Sequence, residues 1–225
     1  MAKWSWRLLR LPLGAGLLAF FQAAGAAGGA TPLPPPAVDL PAAAGAGLQT
    51  AVFAGGCFWG VEGVFRHVKG VKTAVSGYAG GTAATATYDA VSSGGTRHAE
   101  AVEVTFDPAQ VTYGQLLRVF FSVAHDPTQR NRQGPDVGPQ YRSAIFFVGE
   151  DQKRVAQDYV RQLTEAKAFA RPIATEVVPL PKFYPAEGYH QNYMALNPMQ
   201  PYIVMHDAPK LVALKAQFPT LYTGK

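Results

Sequence analysis

The chain has 225 residues, with 20 Lys+Arg against 15 Asp+Glu, 18 Pro, 23 Gly and a single Cys. At 48% hydrophobic and 16% charged it can bury a core, which excludes wholesale disorder, and one Cys excludes an internal disulfide framework or a multi-cysteine zinc site. The formal charge of +5 includes Lys3, Arg7 and Arg10; without them it is 17 against 15, too small an excess to argue for nucleic acid.

Residues 1–10 are basic and carry no acid, residues 11–24 are uncharged, and Ala24-Gly25-Ala26 fits a cleavage pattern. That order predicts a secretory signal peptide over 1–26 and an exported, periplasmic protein. The apolar run is short for a membrane span, so membrane contact is expected only if the signal stays uncleaved. Residues 27–48 are Ala, Gly and Pro with one charge, Asp39, and read as a linker. The folded domain is expected over 49–225.

In chain order, Ala51–Ala54 reads as a buried strand ending in Gly55-Gly56. Val61, Val64, Phe65 and Val68 share one helical face, which places Cys57 at a helix start. Val71–Tyr78 is a second strand, followed by a Gly-, Thr- and Ser-rich loop. Glu100–Phe106 alternates like a strand with one face on a core. Tyr113–Ala124 reads as a helix, Asp126–Gln140 as loop and Ser143–Val148 as a strand. Glu150–Phe169 is the longest helical stretch, with Val155, Tyr159, Leu163 and Ala166 on one face. Thr175–Leu180 is the last strand, and after Pro181 the chain reads as a long irregular segment. Strands and helices alternate imperfectly, which favours an α/β architecture with a mixed sheet.

A lone Cys in apolar sequence is ordinarily an inert core residue. Here Gly55-Gly56 permits a close backbone approach, and a helix N-terminus favours the nucleophilic thiolate. Phe58 and Trp59 set two aromatics beside it. Of the five His, none is paired with Cys57 by spacing, so each reads first as structural. Glu100 opens an apolar strand after a Gly-rich loop; buried there it would hold a proton near neutral pH, and the alternative is a solvated strand end. A cysteine hydrolase with a His base and a non-catalytic binding module both stay open on these grounds.

Gly56-Cys57-Phe58-Trp59-Gly60 with Glu62 resembles the signature of the A-type peptide methionine sulfoxide reductases. Further blocks resemble the same family in order: Gly77–Gly81; Tyr88 through His98-Ala99-Glu100; His125–Thr128 with Asn131–Gly134, Asp136 and Gln140–Ser143; Phe183–Glu187; and His190–Tyr193. The resemblance implies a two-layer sandwich with a ferredoxin-like core, and reduction of the S epimer of methionine sulfoxide, free or in oxidised proteins. It implies Cys57 as nucleophile, Glu100 as acid, Tyr88 and Tyr141 as hydrogen-bond donors to the sulfoxide oxygen, and Asp136 as a residue that orders the site. Phe58 and Trp59 would form the pocket for the methyl group. No cofactor or metal is implied, and a monomer is expected.

Two departures stand out. Many relatives carry resolving cysteines near the C-terminus, and Pro198–Lys225 has none; Ser92 replaces another Cys. An external thiol, a thioredoxin-like protein or a small thiol, is therefore the expected reductant. Ala86 replaces a Pro two residues before Tyr88, which predicts a looser loop there.

Overall fold

The computed structural model describes Met1, residues 33–41 and residues 47–224. The expected signal segment, Met1 apart, lies outside the described residues.

The centre of the molecule is β1 (Gln49–Gly55), α1 (Phe58–Arg66), β2 (Val71–Ala79), a short α2 (Tyr88–Ser92), β3 (Ala99–Phe106) and α3 (Tyr113–Val119). A small hairpin, β4 (Arg132–Gln133) and β5 (Asp136–Val137), precedes β6 (Ser143–Phe147). Then come α4 (Gly149–Glu165), β7 (Glu176–Pro179), β8 (Phe183–Pro185), α5 (Tyr193–Leu196) and α6 (Ala208–Gln217). The main sheet runs β7-β6-β1-β3-β2-β8. Its inner four strands, β6-β1-β3-β2, are antiparallel and arise from a β-α-β-β-α-β chain order, the ferredoxin-like arrangement. Only β6 and β7 pair in parallel, across the α4 crossover, so the sheet is mixed as expected.

The strands show why the sheet has two unequal faces. On one face Ala51, Phe53, Val102, Val104 and Phe106 meet Val61, Val64 and Phe65 of α1 and Leu116 and Leu117 of α3 in the large core. On the other, Val52, Ala54, Ala99, Ala101 and Ala144 form a small cluster. β3 therefore differs from the one-sided strand expected, because both of its faces are covered and only Glu103 and Thr105 are partly exposed. Glu100 falls on the helix face, in register opposite Tyr78. That register sets the acid beneath the start of α1.

α3 opens on a capping box: Thr112 Oγ1 accepts from the Gln115 N–H (3.2 Å), and Gln115 Oε1 accepts from the Thr112 N–H (2.9 Å). The single helix expected to Ala124 widens into a π-turn at Phe120–Ala124. The wide turn lets Phe120 stack on Phe53 (5.0 Å) while Phe121 meets Tyr159 of α4 (5.7 Å). α4 buries Val155, Tyr159 and Leu163 as the spacing predicts, but Ala166 is exposed because the helix ends at Glu165.

Part of the expected linker is docked on the domain. Asp39 accepts from the Gly114 N–H (2.7 Å) and the Thr112 hydroxyl at the start of α3. The Tyr159 hydroxyl donates to Pro34 O (2.8 Å), Gln162 donates to Pro35 O (3.0 Å), and Leu33, Val38 and Leu40 pack against the core. Composition alone hid this, since the segment uses its carbonyls and one carboxylate more than large side chains.

The C-terminal segment is also more ordered than expected. It is irregular as far as Gln200 apart from β8, a 3₁₀ turn at Gly188–His190 and the single-turn α5, but a π-turn at Ile203–Asp207 leads into α6. Pro209 sits in the first turn of α6, where its missing N–H costs nothing. Leu214 is the one fully buried residue of α6, so the sequence shows no apolar stripe.

Candidate active site

Cys57 is the N-cap of α1, reached by a turn at Gly56. Gly56 has φ +87°, and a Cβ there would lie 2.4 Å from Cβ of Gln133, so the position requires glycine on both counts. Gln133 belongs to the β4–β5 hairpin. Its amide accepts from the Asp126 N–H and donates to Asp126 O, each at 3.0 Å. The hairpin is thereby held over the Gly-Gly turn and carries Asp136 with it.

Cys57, Glu100, Tyr88 and Tyr141 line one cavity of about 160 Å³, together with Phe58, Trp59, Asp136 and Tyr202. All seven site residues named from the sequence thus meet in one place. A second cleft, about 310 Å³ between α1, α5 and α6, is lined by Trp59, Glu62, Met194 and Leu211 among others and holds no cysteine.

Cys57 and Glu100 are almost fully enclosed, at 8% and 3% exposure. Glu100 Oε2 accepts from the Phe58 N–H at 3.0 Å, which ties the carboxyl to the first turn of α1. Burial pushes the Glu100 carboxyl up to about 8, and the negative charges of Asp136 and Asp207 add to this; the Phe58 bond opposes them only in part. Glu100 is therefore neutral, a proton donor, at pH 7. Burial also raises the Cys57 thiol well above its ordinary range, reinforced by Glu100 and Asp207 and opposed by the Trp59 N–H and by Lys210. This corrects the expectation from helix position. The helix N-terminus does aim an N–H at the sulfur, but loss of water outweighs it, and the resting group is a thiol.

The phenols divide into two kinds. Tyr78, at the far end of β2, donates to Glu187 Oε2 (2.8 Å), and Tyr202 donates to Asp136 Oδ2. Tyr88 and Tyr141 donate to no protein group among the described residues, so their hydroxyls are available to a ligand. Burial raises the pKa of both phenols, and the Glu100 charge adds to it, so they stay protonated donors. Trp59 stacks on Tyr193 (centroids 3.8 Å apart, 12° between planes), and its N–H donates to His190 Nδ1 at 3.2 Å. The indole is fixed on one face and at its polar edge, leaving the apolar surface of a small pocket.

No histidine lines the cavity. His98 is fully buried, with Nδ1 accepting from the Gly81 N–H and Nε2 beside Thr82 O. His125 is bonded to Phe120 O and the Ser143 hydroxyl, and burial lowers its pKa to about 4. A Cys–His base pair is absent among the described residues, which removes the geometric ground for a hydrolase. No group of three or more His, Cys, Asp or Glu among the described residues is arranged to hold a metal ion.

Three functional features escaped the sequence reading. Tyr202 enters the cavity from the segment read as irregular, where no spacing pointed to it. Glu62, one residue of the signature, is buried and structural: it accepts from the Ser76 hydroxyl (2.7 Å) and the Asn192 N–H (2.9 Å), joining α1 to β2 and to the stretch before α5. Asp207 is fully buried beside Lys210 (3.0 Å), and a Cβ at Gly60 would lie 2.0 Å from its Oδ1. The second glycine of the signature therefore makes room for the C-terminal turn against the first turn of α1.

Comparison with known proteins agrees with this geometry. The family model described as "Peptide methionine sulfoxide reductase" matches residues 49–221. A curated relative from Mesorhizobium japonicum, peptide methionine sulfoxide reductase MsrA 2, is 59% identical over 80% of this chain and 92% of its own length. One from Synechocystis with the same name is 56% identical over 83% of this chain and 88% of its own. Among solved structures, methionine sulfoxide reductase A of Corynebacterium diphtheriae superposes with a TM-score of 0.60 at 39% identity, covering 69% of this chain and 77% of that one. Fold, site and sequence converge: this chain belongs to the peptide methionine sulfoxide reductase family.

Proposed function

We propose that the chain reduces the S epimer of methionine sulfoxide, free or in oxidised proteins, with Cys57 as nucleophile and Glu100 as acid. The observation that carries this is a neutral carboxyl and a thiol sharing one small aromatic-walled cavity with two unbonded phenols. A sulfoxide sulfur becomes a good electrophile only as its oxygen gains a proton or strong hydrogen bonds. Tyr88 and Tyr141 donate to that oxygen, and Glu100 transfers its proton as charge develops there. Phe58 and Trp59 receive the methyl group.

The Cys57 sulfur attacks the sulfoxide sulfur as the oxygen takes the Glu100 proton, forming an S–S bond; the hydroxyl then passes to the Cys57 sulfur as the S–O and S–S bonds break. The thiol proton returns to Glu100. Methionine leaves reduced by two electrons, and Cys57 becomes a sulfenic acid, oxidised by two. With one Cys in the chain, a first external thiol displaces water from the sulfenic acid to form a mixed disulfide. A second thiol then frees Cys57. A thioredoxin-like protein or a small thiol would serve, and no other cofactor enters. The basic, apolar, small-residue order of residues 1–26 supports export to the periplasm, where oxidants reach proteins directly.

The test is methionine formation from each epimer with dithiothreitol, using residues 27–225 and Cys57→Ser as control. Turnover of the S epimer alone, lost in the variant, is the expected result. Sulfoxide binding without turnover would make the protein a binding module instead.

A further inference from the structure

Glu187 lies outside the cavity, yet both of its carboxylate oxygens are committed to the walls. Oε2 accepts from the Tyr78 hydroxyl (2.8 Å), and Oε1 accepts from the backbone N–H of Tyr88 (2.9 Å). Tyr78 is opposite Glu100 in the β2–β3 register and tilts against Phe58 (6.0 Å), so one partner is anchored in the sheet beneath the site. The other partner is the residue whose phenol lines the cavity. Glu187 itself stands on a braced platform. The Ala186 N–H donates to Ser76 O (2.9 Å), and the Gln191 side chain accepts from the Ser76 N–H (3.0 Å) and donates to Ser76 O (2.9 Å) and Ala186 O (3.0 Å).

His98 holds the start of the approach at Gly81 and Thr82, but from there to Tyr88 the hydrogen bonds are local ones within residues 82–86. Residues 80–87 hold a three-residue 3₁₀ turn, and Ala86 stands where a Pro would have restricted the chain. We propose, building on the reductase reading above, that Glu187 is a positioning residue: it clamps the Tyr88 backbone to the sheet and so aims the Tyr88 phenol at the sulfoxide oxygen. The looser loop expected from Ala86 is pinned from outside by this bridge.

The test uses the full chain with Glu187→Ala, Tyr78→Phe, Tyr88→Phe and the double variant Tyr88→Phe/Glu187→Ala; Ala is chosen because Gln would keep an acceptor for the Tyr88 N–H. Amide exchange over residues 82–92 reads the clamp without reference to activity. Exchange at least fivefold faster in Glu187→Ala, with the α4 amides unchanged, is expected; unchanged exchange at 82–92 overturns the proposal. Single-turnover methionine formation reads the consequence. Glu187→Ala should slow it about three- to tenfold, the scale of one misplaced hydrogen bond. Tyr78→Phe, which leaves Tyr88 itself intact, should slow it in the same direction. Because Glu187 acts through the Tyr88 hydroxyl, the double variant should fall within twofold of Tyr88→Phe alone. A double variant slowed by the product of the two single effects would show that Glu187 acts independently of Tyr88 and would overturn the proposal. If the parent protein forms no methionine at all, the reductase reading fails, and the exchange measurement still decides whether Glu187 holds the loop.

Discussion

Replacing Glu100 by Gln should make the protein slower and more stable at once. The folded protein holds the Glu100 proton up to about 8, whereas the unfolded chain releases it near 4.5. A carboxyl raised in this way stabilises the fold most below pH 4.5, and that stability is lost as pH rises through about 8. Each pKa unit corresponds to ~1.4 kcal/mol, so at pH 7 the group already costs ~3 kcal/mol relative to pH 4. Gln cannot ionise, and its amide oxygen can still accept from the Phe58 N–H. Glu100→Gln should therefore flatten the pH dependence and raise the melting temperature at pH 7 by roughly 5–10 °C. The same change removes the acid, which should cut single-turnover methionine formation by about 10²–10⁴ with little change in sulfoxide binding. Thermal melts of both proteins at pH 5, 7 and 8.5, with single-turnover rates at pH 7, measure the two effects. A variant that melts lower than its parent at pH 8.5, or retains its rate, would refute both the neutral carboxyl and its role.

Asp136→Asn removes a negative charge that helps hold the Glu100 proton, so the alkaline limb of the rate profile, expected near pH 8, should move to lower pH. Asp39→Ala removes the acceptor from the start of α3 and should lower stability by about 1–2 kcal/mol, seen as a melting shift of a few degrees with turnover per folded molecule retained. A chain beginning at residue 49 should lose more than Asp39→Ala, because the Pro34 and Pro35 carbonyl bonds go as well. After one turnover without reductant, mass spectrometry should find one added oxygen on Cys57; an oxidised product lacking that oxygen would contradict external resolution.

The sequence revealed the site more fully than it revealed the fold. Cys57 stood out as a reactive candidate because a Gly-Gly turn before a helix start is a local pattern, whereas the strand pattern left Glu100 open and its role came only with the family resemblance. β3 was harder. Alternation in Glu100–Phe106 shows one buried face, but the second face is covered by small alanines that carry no hydrophobic signal. The Pro-rich stretch before Gln49 binds through backbone carbonyls, which every residue possesses, so composition could not show that it docks. Tyr202 and Asp207 reach the site from a segment with three prolines between Asn197 and Lys210 and no apolar stripe. Their positions depend on how α6 packs on α1, information that exists only after the chain is folded.

The burial that keeps Glu100 protonated also keeps Cys57 a thiol. Both groups are neutral in the resting site because ionising either one would place a charge in a nearly closed cavity, and each charge would oppose the other. A helix N-terminus alone would have given an exposed, reactive thiolate. In a protein with one thiol, that would invite oxidation by any peroxide. In the closed site the thiol can give up its proton only to a nearby base. In the proposed mechanism Glu100 becomes that base once its own proton has moved to the sulfoxide oxygen. The two transfers are then one coupled event, and the nucleophile is generated where and when the electrophile is present. Closure thus sacrifices thiolate at rest and gains discrimination between a bound sulfoxide and a stray oxidant.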